Sequence, residues 1–217
     1  MGTRGAFGVI IGEQEKIGYN QFDSYPDGCG IENLRWLRDT DPDEVRRLAQ
    51  AAKVVSNDDE RPTIEEIQAL ASVSDDRVSE QSLSDWYCLT RQTHGHIGRM
   101  LECGYIDDSH HFPLDSLFCE WAYIVDLDRN VFEVYTGFQE KLPEKGRWAG
   151  RPTAEEDTAN YKEHLYWCSK NDRQPWLPET SQYKAVELVA SWPLDALPTD
   201  EEFLAQTRRV EEEADVA

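Results

Sequence analysis

The chain is short of the signatures that most often declare a function. No apolar run approaches the roughly 18 residues of a membrane-spanning helix, and no secretory signal peptide is read at its start. Its five cysteines, Cys29, Cys88, Cys103, Cys119 and Cys168, are scattered, odd in number and form no Cys-x-x-Cys pair. That pattern points to reduced thiols in an intracellular, cytoplasmic setting rather than to a disulfide framework. There is no internal repeat, Walker loop, Rossmann fingerprint, His-Glu-x-x-His or Gly-x-Ser-x-Gly. The common nucleotide, metalloprotease and serine-esterase readings fall away with them. Basic residues are scarce: 22 Lys and Arg stand against 43 Asp and Glu, a formal charge of −21. Such a deficit opposes binding nucleic acid or an anionic membrane, because like charge repels. It keeps a protein soluble, and it admits a basic protein partner.

What is present describes a globular chain. Hydrophobic residues make up 39% and aromatic residues 11%, with seven Trp. Disordered chains lack such aromatic content. At 217 residues a single domain over 1–217 is expected, burying roughly 70% of its unfolded surface.

The first thirty residues are the densest stretch. Phe7, Val9 and Ile11 alternate with Ala6, Gly8 and Ile10, so both faces of this strand must meet packed neighbours. Gly12 to Lys16 suits a hairpin loop, and Ile17 to Phe22 returns as the partner strand. Asn20, Asp23, Ser24, Tyr25 and Asp27 then crowd around Pro26, Gly28 and Gly30. Asn and Asp favour turns for local reasons, since they hydrogen-bond nearby backbone. The sharper reading has the hairpin deliver Arg4, Asn20, Asp23 and Tyr25 to the mouth of one pocket, with Asp23 shielded from solvent and paired.

Further along, residues 31–55 read as helical. Asp41 is the expected N-cap, Pro42 the first helical residue and Glu44 the closing member of a capping box. Thr63-x-x-Glu66 opens a short helix, and 72–82 reads as a mobile loop. A central helix is expected from about Leu83 to Leu101, with His94 on its buried stripe and Gly104 as its stop. His94, His96, Cys103, Asp107, Asp108, His110 and His111 lie close in sequence, but zinc sites use different spacings, so neither metal nor cofactor is expected. Glu120 to Phe138 is a second hairpin turning at Asp128-Arg129-Asn130. Lys141 to Arg151 is locally basic, and Arg147 and Trp148 are its expected substrate contacts. A helix start at Thr153, with Leu165, Tyr166 and Trp167 buried, precedes a strand over Tyr183 to Trp192. Thr199-x-x-Glu202 caps a last helix from Glu201 to about Val210, and 211–217 trails as a solvated acidic tail.

Two resemblances attach to these residues. Met1-Gly2-Thr3-Arg4-Gly5, Tyr19 to Pro26, His111 to Phe118 and the Trp121 to Phe138 hairpin resemble a family of small intracellular proteins that carries no assigned activity. More loosely, the first hairpin is similar to that of N-terminal-nucleophile hydrolases of the bile-salt hydrolase and penicillin acylase type. There a processed N-terminal nucleophile starts a strand that returns to an Asn-x-Asp cluster. Thr3, Arg4, Asn20 and Asp23 sit in corresponding places, although the spacing here is Asn-x-x-Asp and Thr3 would need cleavage beyond Met1.

The expected fold class is α+β: a mostly antiparallel sheet from two hairpins and a late strand, packed against helices. Two functions follow. One is a hydrolase of an amide or related bond, with Asp23 as acid/base or orienting group, Asn20 or backbone N–H groups at an oxyanion, and Arg4 and Tyr25 on the substrate. Its nucleophile stays open between Thr3, Cys29 and a water. The other is a non-catalytic binding or regulatory protein that uses the same pocket, for a small-molecule or peptide ligand, or its acidic surface.

Overall fold

Strand β1 (Gly5–Ile11) turns through Gly12-Glu13 into β2 (Gln14–Asn20). Both turn residues have positive φ, 58° at Gly12 and 64° at Glu13, which is the two-residue turn whose twist matches paired strands. The loop is therefore shorter than the composition of 12–16 suggests, and β2 starts at Gln14 and stops at Asn20 rather than at Phe22. Strand β5 (Trp121–Asp126) lies parallel beside β1, from Gly5 opposite Trp121 to Ile10 opposite Asp126. Its hairpin partner β6 (Val131–Thr136) and then β7 (Glu187–Pro193) follow antiparallel, giving the order β2-β1-β5-β6-β7. The two hairpins thus meet strand to strand, and the sheet is mostly antiparallel with one parallel seam. The Asp128 carboxylate ties the two turns together, accepting the Gly12 and Glu13 N–H groups at 2.9 Å each.

The structure, a computed structural model, describes residues 2–57, 60–75, 77, 84–151 and 183–214. The helix expected from Thr153, its Leu165, Tyr166 and Trp167, and Cys168 lie outside the described residues.

Both sheet faces are covered, as the alternation in β1 requires. Phe7, Val9, Tyr123, Val125, Phe132 and Val134 pack under helices α1 (Ile31–Asp39), α2 (Pro42–Ala51) and α5 (Ile97–Cys103) and under Phe203. Phe203 belongs to α6 (Asp200–Ala214), which opens on the expected Thr199/Glu202 capping box. Ala6, Ile10, Ile17, Ala122, Ile124 and Tyr135 pack on the other face against Leu114, Cys119, Trp148, Ala185 and Val186. A small third core gathers Trp86 and Leu89 of α4 (Trp86–Leu89) with Val55 and Leu70.

Several local expectations need correction. Residues 31–55 form two helices and then strand β3 (Lys53–Val55), which pairs with β4 (Tyr105–Asp107). Asp41 caps α2 through Asp43 N–H at 2.8 Å, while Glu44 pairs with Arg47 instead of closing a box. The Thr63/Glu66 box does form, opening α3 (Ile64–Ala69). The long central helix does not exist: α4, a 3-10 turn at Arg91–Thr93 and α5 replace it. Gly95, at φ 81°, and extended His94 break the path, a conformation open to glycine at little cost. Of the 72–82 stretch, Asp75 N–H donates to Cys88 O and Val73 packs on the third core, while most of the rest lies outside the described residues. The late strand begins at Glu187, not Tyr183, and the last helix runs on to Ala214.

Candidate functional site

The open end of the first hairpin brings together Thr3, Arg4, Asn20 and the Phe22–Gly30 segment. β1 begins where β2 ends, with Gly5 opposite Asn20. Asn20 Nδ2 donates to Phe22 O at 2.5 Å and to Ser24 Oγ at 2.9 Å. Ser24 N–H donates to Thr3 O, and Ser24 O accepts from the Tyr123 hydroxyl at 2.8 Å. Pro26–Gly30 forms one π-helical turn that runs directly into α1. Inside it Cys29 Sγ donates to Gly95 O at 2.9 Å. Asn33, on α1, donates to Cys29 O and Gly95 O and accepts from Ile97 N–H. The dense polar run is thus a strap that joins β2, α1 and the start of α5, with nearly every buried polar atom satisfied inside the fold. Burial pushes the Cys29 thiol up to about 12, which leaves it inert at neutral pH.

The four residues expected to share a cavity do not converge. Asp23 sits at φ 56° with its side chain exposed, and it forms no hydrogen bond or ion pair among the described residues. Arg4 donates its backbone N–H to Glu120, and its guanidinium lies 5.1 Å over the Phe118 ring. Asn20 is buried in the strap. Tyr25 borders a cleft of about 260 Å³ with Pro26, Asp27, Leu204 and Arg208, and none of the other three lines it. Thr3 is buried.

The same end carries a feature that the sequence reading missed. Phe22 is 52% exposed and Phe118 43%, with Leu117 exposed next to Phe118 and exposed Phe138 bonded through its N–H to Ser116 O. Phe22 projects because β2 has already ended and left-handed Asp23 turns the chain. Arg91 lies over Phe22 at 5.9 Å and over Tyr87 at 5.4 Å. A β-carbon on Gly2 would strike the Phe22 ring, so the segment carrying Arg4 runs directly beside Arg91's platform. Neither Arg4 nor Arg91 has a carboxylate within ion-pair distance among the described residues. The legible signal was an aromatic residue flanking a strand, Phe22 just after β2 and Phe118 just before β5.

The opposite, turn end of the sheet holds the other expected contacts. Arg147 is not a free surface cation: it bonds to Asp126 and lies 3.9 Å from Glu15. Arg151 lies 3.8 Å from Glu15, and Arg129 binds buried Glu133 at 2.8 Å, which also accepts from Tyr135 OH. Trp148 is fully buried, edge-on to Tyr135 at 4.6 Å, because its ring completes the second core. Arg147 and Arg151 of the basic patch are therefore paired with carboxylates of the sheet.

Beside it an open groove of about 750 Å³ is bordered by Glu15, Lys16, Lys53, Asp108, His110 and Arg151. His110 Nδ1 lies 2.8 Å from both Asp108 oxygens, which raises the imidazole's pKa. This pair can move a proton, but the described residues lining the groove include no Ser, Thr or Cys to activate. Asp107, near Asp85 and Asp108, is raised to about 7, chiefly by burial. His94 is driven down to about 3 by burial and by Arg91. Among the described residues no three His, Cys, Asp or Glu side chains gather to hold a metal ion, and no helix is long and apolar enough to cross a membrane. Set against known proteins, the chain matches no family model, no curated protein and no solved structure.

Proposed function

We propose that the protein is a non-catalytic binding protein that holds a protein partner against the arginine–aromatic face at the open end of its first hairpin. One observation carries this reading. Phe22 and Phe118 stand in solvent, each beneath a guanidinium that has no carboxylate within ion-pair distance among the described residues. Exposed aromatic and arginine side chains are the residues that dominate protein contacts, and contiguous exposed apolar surface marks such contacts. The hydrolase reading of the same hairpin has less support. Cys29 is buried with its thiol bonded to Gly95 O, Thr3 is buried, and Asp23 stands clear of Asn20 and Arg4's contacts.

The test is site-specific photo-crosslinking in cells, with a photoreactive residue replacing Phe22, Phe118 or Ile64. Ile64 is 70% exposed on α3 and serves as the control. The same adduct is expected from both face positions and not from Ile64. No adduct from the face, or equal adducts from all three, overturns the proposal. Intact mass of the purified chain checks the competitor: a mature start at Thr3 would favour the hydrolase.

A further inference from the structure

We infer that the segment bound on this face is an acidic peptide, with carboxylates flanking an apolar anchor. This rests on the binding reading above and adds the chemistry of the partner. Acids outnumber bases almost two to one in this chain, so its cations are in demand. Asp200 takes Arg35 and Arg38, Glu44 takes Arg47, Asp126 takes Arg147 and Glu133 takes Arg129. Arg4 and Arg91, like Arg46, Arg61 and Arg99, form no ion pair among the described residues, and these two alone of that group lie over aromatic rings at one end of the molecule. A guanidinium over a ring keeps its edge of N–H donors free, and that edge is shaped to take a carboxylate.

Arg91 is also held in place. Thr90 Oγ donates to Trp86 O at 2.9 Å, so it accepts from His94 Nε2 at 3.3 Å. His94 Nδ1 is then the bare nitrogen that receives Arg91 Nη1 at 3.3 Å. A neutral imidazole therefore orients Arg91 without cancelling its charge. The carboxylates nearest the patch do not substitute for a ligand. Asp75, which feels the charge of Arg91, is held by Arg77 at 2.8 Å; Asp115, which feels that of Arg4, accepts from the Leu117 and Phe118 N–H groups; Glu120 accepts from Arg4 N–H, and Asp23 is exposed to solvent. The chain's net negative charge opposes an acidic partner only at range, since screening confines it to about 8 Å at physiological salt.

Three short synthetic peptides test this on the full chain by fluorescence anisotropy. One carries Asp and Glu around a Leu-Phe anchor, one the matching Asn and Gln, and one Lys. The acidic peptide should bind on the order of tenfold tighter than the amide peptide. Arg4→Gln with Arg91→Gln should erase that difference, and Phe22→Ser with Phe118→Ser should abolish binding of both. If Arg91→Gln fails to fold, Arg4→Gln alone should narrow the difference, since that guanidinium has no hydrogen bond among the described residues. Equal or tighter binding of the amide or Lys peptide overturns the acidic partner while the binding face stands. No binding by any peptide, together with crosslinking that ignores the face, overturns both.

Discussion

Replacing Asn33 with alanine should be among the most damaging single changes in the molecule, although nothing in its local sequence marks it. Its side chain is 1% exposed and makes three short hydrogen bonds, to Cys29 O at 2.9 Å, to Gly95 O at 2.8 Å and from Ile97 N–H at 2.7 Å, besides a long one to Cys29 Sγ at 3.4 Å. Together they join the π-helical turn, the Gly95 break and the first turn of α5. Each such bond contributes about 1 kcal/mol net, so Asn33→Ala should cost about 3 kcal/mol. The loss exceeds that of an exposed bond because Ile97 N–H and Cys29 O are left buried; Gly95 O keeps the Cys29 thiol. For a chain of this length about 3 kcal/mol lowers Tm by roughly 6–12 °C. Urea unfolding followed by circular dichroism and tryptophan fluorescence measures it, with Glu32→Gln, an exposed neighbour on α1, as the control. Asn33→Asp sharpens the test. It keeps the acceptor for Ile97 N–H but sets a carboxylate oxygen against two carbonyl oxygens. It should be at least as destabilising at neutral pH and should recover partly in acid, where the carboxyl can donate again. A cost below about 1 kcal/mol for Asn33→Ala would refute the strap as the reason for the polar run.

Three further outcomes follow from buried groups. His94 titrates near 3 in the fold against 6.5 when unfolded, so the unfolded chain binds the extra proton between those values. Stability should therefore fall as pH drops from 6.5 towards 3, by up to about 1.4 kcal/mol per unit, and His94→Gln should flatten that part of the curve relative to the parent; an unchanged slope would refute it. Lys16 donates Nζ to Ala49 O at 2.8 Å and Ala52 O at 2.6 Å, the free carbonyls at the end of α2. Lys16→Met should cost about 2 kcal/mol in denaturant unfolding, with a neutral result counting against this cap. Native Cys29 should resist iodoacetamide at pH 8 and react once unfolded, as peptide mass mapping can read; rapid native alkylation would reopen its candidacy as a nucleophile.

The parts of the fold governed by short-range physics were legible in the chain. The two-sided alternation of Ala6 to Ile11 required a covered central strand, and both hairpins followed from turn residues between apolar runs. The Thr63/Glu66 and Thr199/Glu202 boxes announced α3 and α6, because a cap depends only on residues three apart. Tertiary structure decided the rest. The parallel seam between β1 and β5 joins residues more than a hundred positions apart, and no local pattern encodes which strand edges meet. The break at Gly95 overrode a helical stripe because Cys29 and Asn33 draw that backbone carbonyl into the strap. Composition showed a basic patch at Arg147 and Trp148, but the fold turned the ring into core and placed Asp126 and Glu15 against the guanidinium. The polar crowd at Asn20 to Tyr25 could be read in sequence either as a site or as a strap. Only its long-range partners Thr3 and Tyr123 show that most of it is structural, leaving Phe22, Phe118, Arg4 and Arg91 at the surface of that end.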